Sequence, residues 1–253
     1  MSQRVLVTGA ASGIGLEIAR AFSAAGATVF ITDINEQALA AAQKEVPRLL
    51  TGACDNSKRS DIESMVPMAV EALGGLDVLV NNAGIGGPTA PVDAVDPGAW
   101  DMVLAVNVTG TFLVTRLAIP HLKKSEAGSI ITMSSLGGRF GYPNRSPYCV
   151  SKWGLIGFAK TLAIELGPHN IRSNAIAPGA VGGERIERVL AGRAEAAGTS
   201  IDEARASMLS IQSLKRFVEP KDIAAFCVYL ASDAGKSISG QVIPIDNDAH
   251  QAS

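Results

Sequence analysis

Short β-branched runs alternate with longer segments of helical spacing along almost the whole chain. The run "RVLVT" at residues 4–8 leads into "GIGLEIARAFSAAG". There Ile14, Ile18 and Phe22 fall on one helical face and Gly26 stops the helix. "TVFITD" precedes "NEQALAAAQKEV", for which Asn35 is the N-cap. "LLTGAC" precedes a helix at 61–73. "DVLVNNAG" precedes a long helix opening at Pro97, "PGAWDMVLAVNVTGTFLVTRLAIPHL", with proline tolerated in its first turn. "SIITMSS" precedes a helix at 147–166, "IRSNAIAP" is followed later by one at 219–230, and "QVIPI" is the last strand. Such alternation requires parallel strands joined by crossover helices. The expected fold is therefore α/β, a doubly wound parallel sheet of about seven strands with helices on both faces. Nearly all-apolar strands agree with a sheet covered on both sides. One domain spanning 1–253 accommodates the pattern.

The segment at 182–213, "GGERIERVLAGRAEAAGTSIDEARASMLSIQS", interrupts it. This stretch is more charged, helical in composition and placed between two core elements. It reads as an inserted mobile flap for substrate. Net charge is only −2, so no nucleic acid or anionic membrane is expected as a partner. No uninterrupted apolar run approaches the roughly 18 residues of a membrane span. Cys54, Cys149 and Cys227 are odd in number and far apart, and His121, His169 and His250 are equally scattered. No metal site is expected. Free cysteines and a strand beginning at Arg4, where a signal peptide would start, point to the cytoplasm.

"TGAASGIG" follows the first strand and opens the first helix. Gly9, Gly13 and Gly15 give a tight turn and a close backbone approach, with free N–H groups at a positive helix end. A dinucleotide pyrophosphate fits there. Asp33 ends the second strand, where a carboxylate accepts from ribose hydroxyls and repels a 2′-phosphate. Ile34 and Asn35 follow it, and Ser12 in the loop is neutral, so the cofactor expected is NAD. The other reading of Asp33 is a helix N-cap. Asp55 is a candidate for the adenine amino group or, equally, a turn residue. Asn82, Ala83 and Gly84 sit at a strand end, where open parallel sheets bind ligands.

Thr8-Gly9-x3-Gly13-x-Gly15, Asn81-Asn82-Ala83-Gly84, Asn107, Ser135, Tyr148-x3-Lys152 and "APG" ending at Gly179 occur in this order. The chain thereby resembles the short-chain dehydrogenase/reductase family over nearly its whole length. The resemblance implies a seven-stranded Rossmann-type sheet, a nicotinamide cofactor and a homotetramer or homodimer. It also implies cofactor contacts from Ile14, Ile34, Pro178, Gly179 and Val181 beside those above. The chemistry agrees. A general base must take the proton of an alcohol as hydride leaves its carbon. Tyr148 can do so as a phenolate, from a reference value near 10. Lys152 lies one helical turn away on the same face, and its charge favours the phenolate. In this reading it also holds the nicotinamide ribose.

Ser135, at a strand end, orients the substrate oxygen. Ser134 competes for that role, since only one of two neighbours can face the site. Asn107 is a poor helix-interior residue, which a proton-relaying water would explain; a core hydrogen bond is the alternative. Gly183 stands where the family has a threonine, and Asn247 and Asp248 stand where it has a glycine pair, so that tail could reach a neighbouring subunit. Arg185 and Arg188 could bind an anionic substrate, or pair with Glu184 and Glu187 as a solvated face. Arg139, Tyr142, Asn144 and Arg145 are further pocket candidates. The reaction expected is NAD-dependent interconversion of a secondary alcohol (polyol, sugar or hydroxy acid) and a ketone. A 3-oxoacyl thioester reductase is the alternative, against which Asp33 argues. A nucleotide sensor without turnover would not keep Ser135, Tyr148 and Lys152 together.

Overall fold

In the computed structural model residues 2–252 are described, apart from the side chains of Glu184, Arg185, Arg188, Arg193 and Ala196. Seven parallel strands form one sheet: β1 (Arg4–Val7), β2 (Thr28–Asp33), β3 (Leu50–Ala53), β4 (Val78–Asn81), β5 (Gly128–Met133), β6 (Ile171–Pro178) and β7 (Val242–Ile245). Their order is β3-β2-β1-β4-β5-β6-β7. The strand order therefore reverses between β1 and β4, which opens a crevice at their carboxyl ends.

Two cores follow from the period-two alternation of the strands. Val5, Val7, Val29 and Ile31 face α1 (Gly13–Ala24), α2 (Glu36–Glu45) and α9 (Pro220–Ala231), packing on Ile18, Phe22, Leu39, Ile223 and Leu230. Leu6, Phe30, Leu79 and Ile130 face the other way, onto α3 (Arg59–Leu73), α5 (Thr111–Leu122) and α6 (Ser146–Leu166). Element boundaries agree with the sequence reading to within about three residues, the largest difference being the fourth strand, read to Gly84 and ending at Asn81. Asn35 caps α2 as expected, its side chain accepting from the Ala38 N–H at 3.0 Å.

The long helix from Pro97 is less regular than its sequence implies. α4 (Pro97–Leu104) passes into α5 through a π-helical stretch, Ala105–Gly110, that includes Asn107. By length and composition this helix, Pro97–Leu122, is apolar enough to cross a membrane, with a mean hydropathy of 1.7. Its packing is that of a core helix instead. Val103, Leu113, Val114, Ala118 and Leu122 are buried, and Thr115 accepts a hydrogen bond from Asn81 at 2.9 Å.

Residues 182–213 hold α7 (Glu184–Ala197) and α8 (Ile201–Ser210), the latter opened by a capping box between Ser200 and Glu203. Leu190, Ala194, Ala204 and Met208 form a small core shared with Ala180, Ile186 and Phe217. Glu187 pairs with Arg205 at 2.8 Å. The C-terminal tail folds onto its own chain. Ala249 and Ala252 are buried against Leu136, beside Phe140, Tyr142 and Ile211. Backbone bonds from Ser213 to Asp248, Leu214 to Asn247 and His250 to Ile211 hold it there.

Candidate active site

The first turn of α1 is built to receive an anion. Ser12 occupies its N-cap without a side-chain hydrogen bond, and no acidic residue lies in that turn. Its leading N–H groups thus meet no capping side chain, and they aim at the crevice with the positive end of the helix. Gly9 must be glycine. Its φ is +58°, and a Cβ there would come 2.7 Å from Ala83 Cα. The loop from Gly9 through Gly13 and Ile14 to Gly15 therefore lies directly on the Asn82–Gly84 strand end. Thr8 ties the two together, its Oγ1 accepting from the N–H groups of Asn82 and Ala83, each at 3.1 Å. Asn82 answers by donating to the Thr8 carbonyl at 3.0 Å. The sequence reading quoted Thr8 but gave it no role; its place immediately before Gly9 is the signal.

Asp33 is not a helix cap, since Asn35 takes that place. Its carboxylate instead accepts from the Ala11 N–H at 3.2 Å and from the Asn35 N–H at 3.1 Å. It thus fixes the glycine-rich loop while facing the same crevice, beside an exposed Ile34. Asp55 behaves as a turn residue. Ser57 donates to its carboxylate through its hydroxyl at 2.7 Å and its N–H at 2.9 Å, and Lys58 pairs with it at 3.4 Å. These contacts, led by the Ser57 hydroxyl, hold the carboxyl below its ordinary value. Pro178 ends β6, and the Gly179 N–H donates to Ile245 at 3.0 Å. Val181 pairs in parallel with Val218.

The two serines after β5 separate cleanly. Ser134 is buried and donates to the Lys152 carbonyl at 2.8 Å. Ser135 is only partly buried, and its Oγ accepts from the Gly137 N–H at 3.2 Å, which leaves its proton for another oxygen. Tyr148 and Lys152 lie on adjacent turns of α6. Lys152 is 5% exposed, its Nζ donates to the Met133 carbonyl at 2.8 Å, and it stands 5.7 Å from the Tyr148 ring centre. A Cβ on Gly84 would come 3.3 Å from that Nζ and 3.2 Å from Asn107 Oδ1. Gly84, Asn107 and Lys152 therefore meet at one point. Asn107 is fully buried. It accepts from the Ile85 N–H at 2.8 Å and donates to the Ile85 carbonyl and Ser151 Oγ, both at 3.0 Å. The core hydrogen-bonding alternative describes these bonds.

Two departures from the family pattern have a backbone explanation. Gly183 has φ +126°, where a threonine would be strained. Asn247 and Asp248, in place of the glycine pair, adopt φ +58°, a conformation asparagine and aspartate tolerate better than most. The tail they begin packs on its own chain, against Leu136 and the segment at 211–214. The sequence reading also missed an ion pair between Arg139 and the buried Asp246, which ties the Ser135–Tyr148 loop to the end of β7. A charge directly after the last strand was the available signal. The side chains of Arg185 and Arg188 lie outside those described. Among the described residues no cluster of three or more His, Cys, Asp or Glu could hold a metal.

A family model described as enoyl-(acyl carrier protein) reductase matches residues 9–250. The chain is 35% identical to D-beta-hydroxybutyrate dehydrogenase of Cupriavidus necator, with 95% of each chain covered. It is 39% identical to the 3-oxoacyl-[acyl-carrier-protein] reductase of Thermotoga maritima, again over 95% of each. A crystal structure of actinorhodin polyketide ketoreductase with NADPH superposes with a TM-score of 0.92 at 32% identity, covering 97% of this chain and 96% of that one.

Proposed function

The chain belongs to the short-chain dehydrogenase/reductase family, enzymes acting on CH–OH groups with a nicotinamide cofactor, and on that premise we propose an NAD-dependent enzyme interconverting a secondary alcohol and a ketone. The substrate type is a polyol, sugar or hydroxy acid. One observation carries the reading: a buried ammonium, Lys152, beside the ring of Tyr148. In such a desolvated place a cation stabilises a phenolate far more than it would in water.

Each residue then has a task. The uncapped first turn of α1, with Gly9, Ser12, Gly13, Ile14 and Gly15, would hold the pyrophosphate. Asp33 and Ile34 would meet the adenosine ribose. Asn82, Ala83 and Gly84, Pro178, Gly179 and Val181, and Tyr148 with Lys152 would line the nicotinamide half. When bound, the nicotinamide supplies the hydride acceptor or donor. Ser135 donates its free proton to the substrate oxygen and holds it toward Tyr148. Tyr148 takes the hydroxyl proton in oxidation and returns it in reduction. Lys152 keeps the phenolate charged. Asn107 is a positioning residue that fixes Ile85 and Ser151 around Lys152 and would hold a proton-carrying water.

The proposed assembly is a homotetramer or homodimer, supported by exposed Phe112 on α5 and exposed Val150 and Trp153 on α6. The proposed compartment is the cytoplasm, where Cys54, Cys149 and Cys227 stay as free thiols. A second reading, reduction of a 3-oxoacyl thioester, draws on the likeness to the Thermotoga maritima reductase. A screen of alcohols, sugars, hydroxy acids and a 3-oxoacyl thioester with both cofactors, read by nicotinamide absorbance, separates the two. The account expects NAD reduction by a secondary alcohol; efficient thioester reduction with NADPH alone would favour the second reading.

A further inference from the structure

Arg145 takes the N-cap position of α6, three residues before Tyr148. Its guanidinium carbon lies 5.4 Å from the Tyr148 ring centre and 5.8 Å from that of Tyr142. One arm donates to Thr89 Oγ1 at 2.9 Å. Its carbonyl accepts from the Cys149 N–H at 2.9 Å, and its own N–H donates to the Tyr142 carbonyl at 3.2 Å. The side chain is thus held in place before any ligand arrives, which lowers the ordering cost of binding one.

What this cation lacks is a counter-charge. Among the described residues no carboxylate pairs with Arg145, whereas Arg139 in the same loop is paired with Asp246. Its Nε is buried without a hydrogen-bond partner among those residues, and so is the hydroxyl of Ser146 beside it. The first turn of α6 carries no acidic residue, so the positive end of a 21-residue helix adds to the guanidinium. A partly desolvated charge with a buried unmatched donor is unfavourable. A carboxylate or sulfonate matches it, since the guanidinium fork presents parallel N–H groups to such oxygens.

We infer that Arg145 binds an anionic group of the substrate, so that the substrate class is a short oxo- or hydroxy-carboxylate or sulfonate. This rests on the alcohol–ketone reading of the same site. The anion would sit against the cation that flanks Tyr148, a few bonds from the carbon that changes oxidation state. Arg145 differs in task from Lys152, whose buried Nζ is anchored on the Met133 carbonyl.

The test is binding to the enzyme–NADH complex, followed by nicotinamide fluorescence, of three ketones that share an acetonyl group. Acetoacetate carries a carboxylate, acetonesulfonate a sulfonate, and acetoacetamide no charge. The expected result is that at least one anion binds about tenfold or more tightly than the amide. That ratio should fall towards one in Arg145→Gln and recover in part in Arg145→Lys. The stronger of the two anions identifies the headgroup. A wild-type ratio near one overturns the inference, and so does a ratio that Arg145→Gln leaves unchanged in a variant that still binds NADH. If Arg145→Gln does not fold, the wild-type ratio and Arg145→Lys still decide. Turnover is scored separately: an intact anion preference with no reduction of any of the three would count against the redox reading of the site, not against the anion site.

Discussion

Asp33 accepts two backbone hydrogen bonds, one from the Ala11 N–H and one from the Asn35 N–H. In the proposed NAD-binding role its charge would repel a 2′-phosphate, and its bond from Ala11 ties it to the glycine-rich loop. Asp33→Ala should therefore lower catalytic efficiency with NAD and narrow the NAD-to-NADP ratio by about tenfold or more, a scale set by charge repulsion in a partly wet site. Steady-state kinetics with both cofactors measures this; an unchanged ratio would remove Asp33 from the selection of cofactor. The residue was legible in the sequence because a carboxylate at the end of the second strand has few other uses. The choice between Ser134 and Ser135 was legible only as an alternation. What settles their environments is the Lys152 carbonyl, which lies 18 residues from Ser134 and turns that hydroxyl inward.

Between elements, one electrostatic tie is Asp77, at the entry to β4. It accepts from the Arg4 N–H and guanidinium on β1, both at 2.9 Å, and from the Ser125 hydroxyl after α5 at 2.7 Å. Burial alone would raise this carboxyl, but the bonds from Arg4 and Ser125 outweigh it and hold it at about 2, below the ordinary 3.8. A depressed value stabilises the fold above the unfolded value, and that stability is lost as pH falls through the folded one. Denaturation midpoints should thus decline between about pH 5 and about pH 2, and Asp77→Asn should flatten that part of the curve. Equal slopes in both proteins would show that Asp77 does not join these elements. The elements themselves were readable from period alone, since Ile18 and Phe22, or Val5 and Val7, repeat as their structures require. The π-helical stretch at Ala105–Gly110 was not; Asn107, a poor helix-interior residue, was the only mark of it in the sequence.

At the scale of the whole molecule, segments far apart in sequence converge at one end of the sheet. The turn after β1, the ends of β2, β4 and β6, the loop after β5 and the first turns of α6 all meet there. The parallel topology predicted from alternation makes that convergence inevitable, which is why most of the site could be read from the chain. The tail could not. Ala249 and Ala252 carry no pattern, and their packing on Leu136 depends on Asn247 and Asp248 turning the backbone at positive φ. The central claim is that this convergence serves proton transfer by Tyr148. Replacing Tyr148 with phenylalanine keeps the ring between Lys152 and Arg145 and removes only the hydroxyl. Turnover of the best alcohol should fall by about 10²–10⁴-fold, while NADH titration by fluorescence gives an affinity close to that of the wild type. A Tyr148→Phe enzyme that turns over at the wild-type rate would contradict the account.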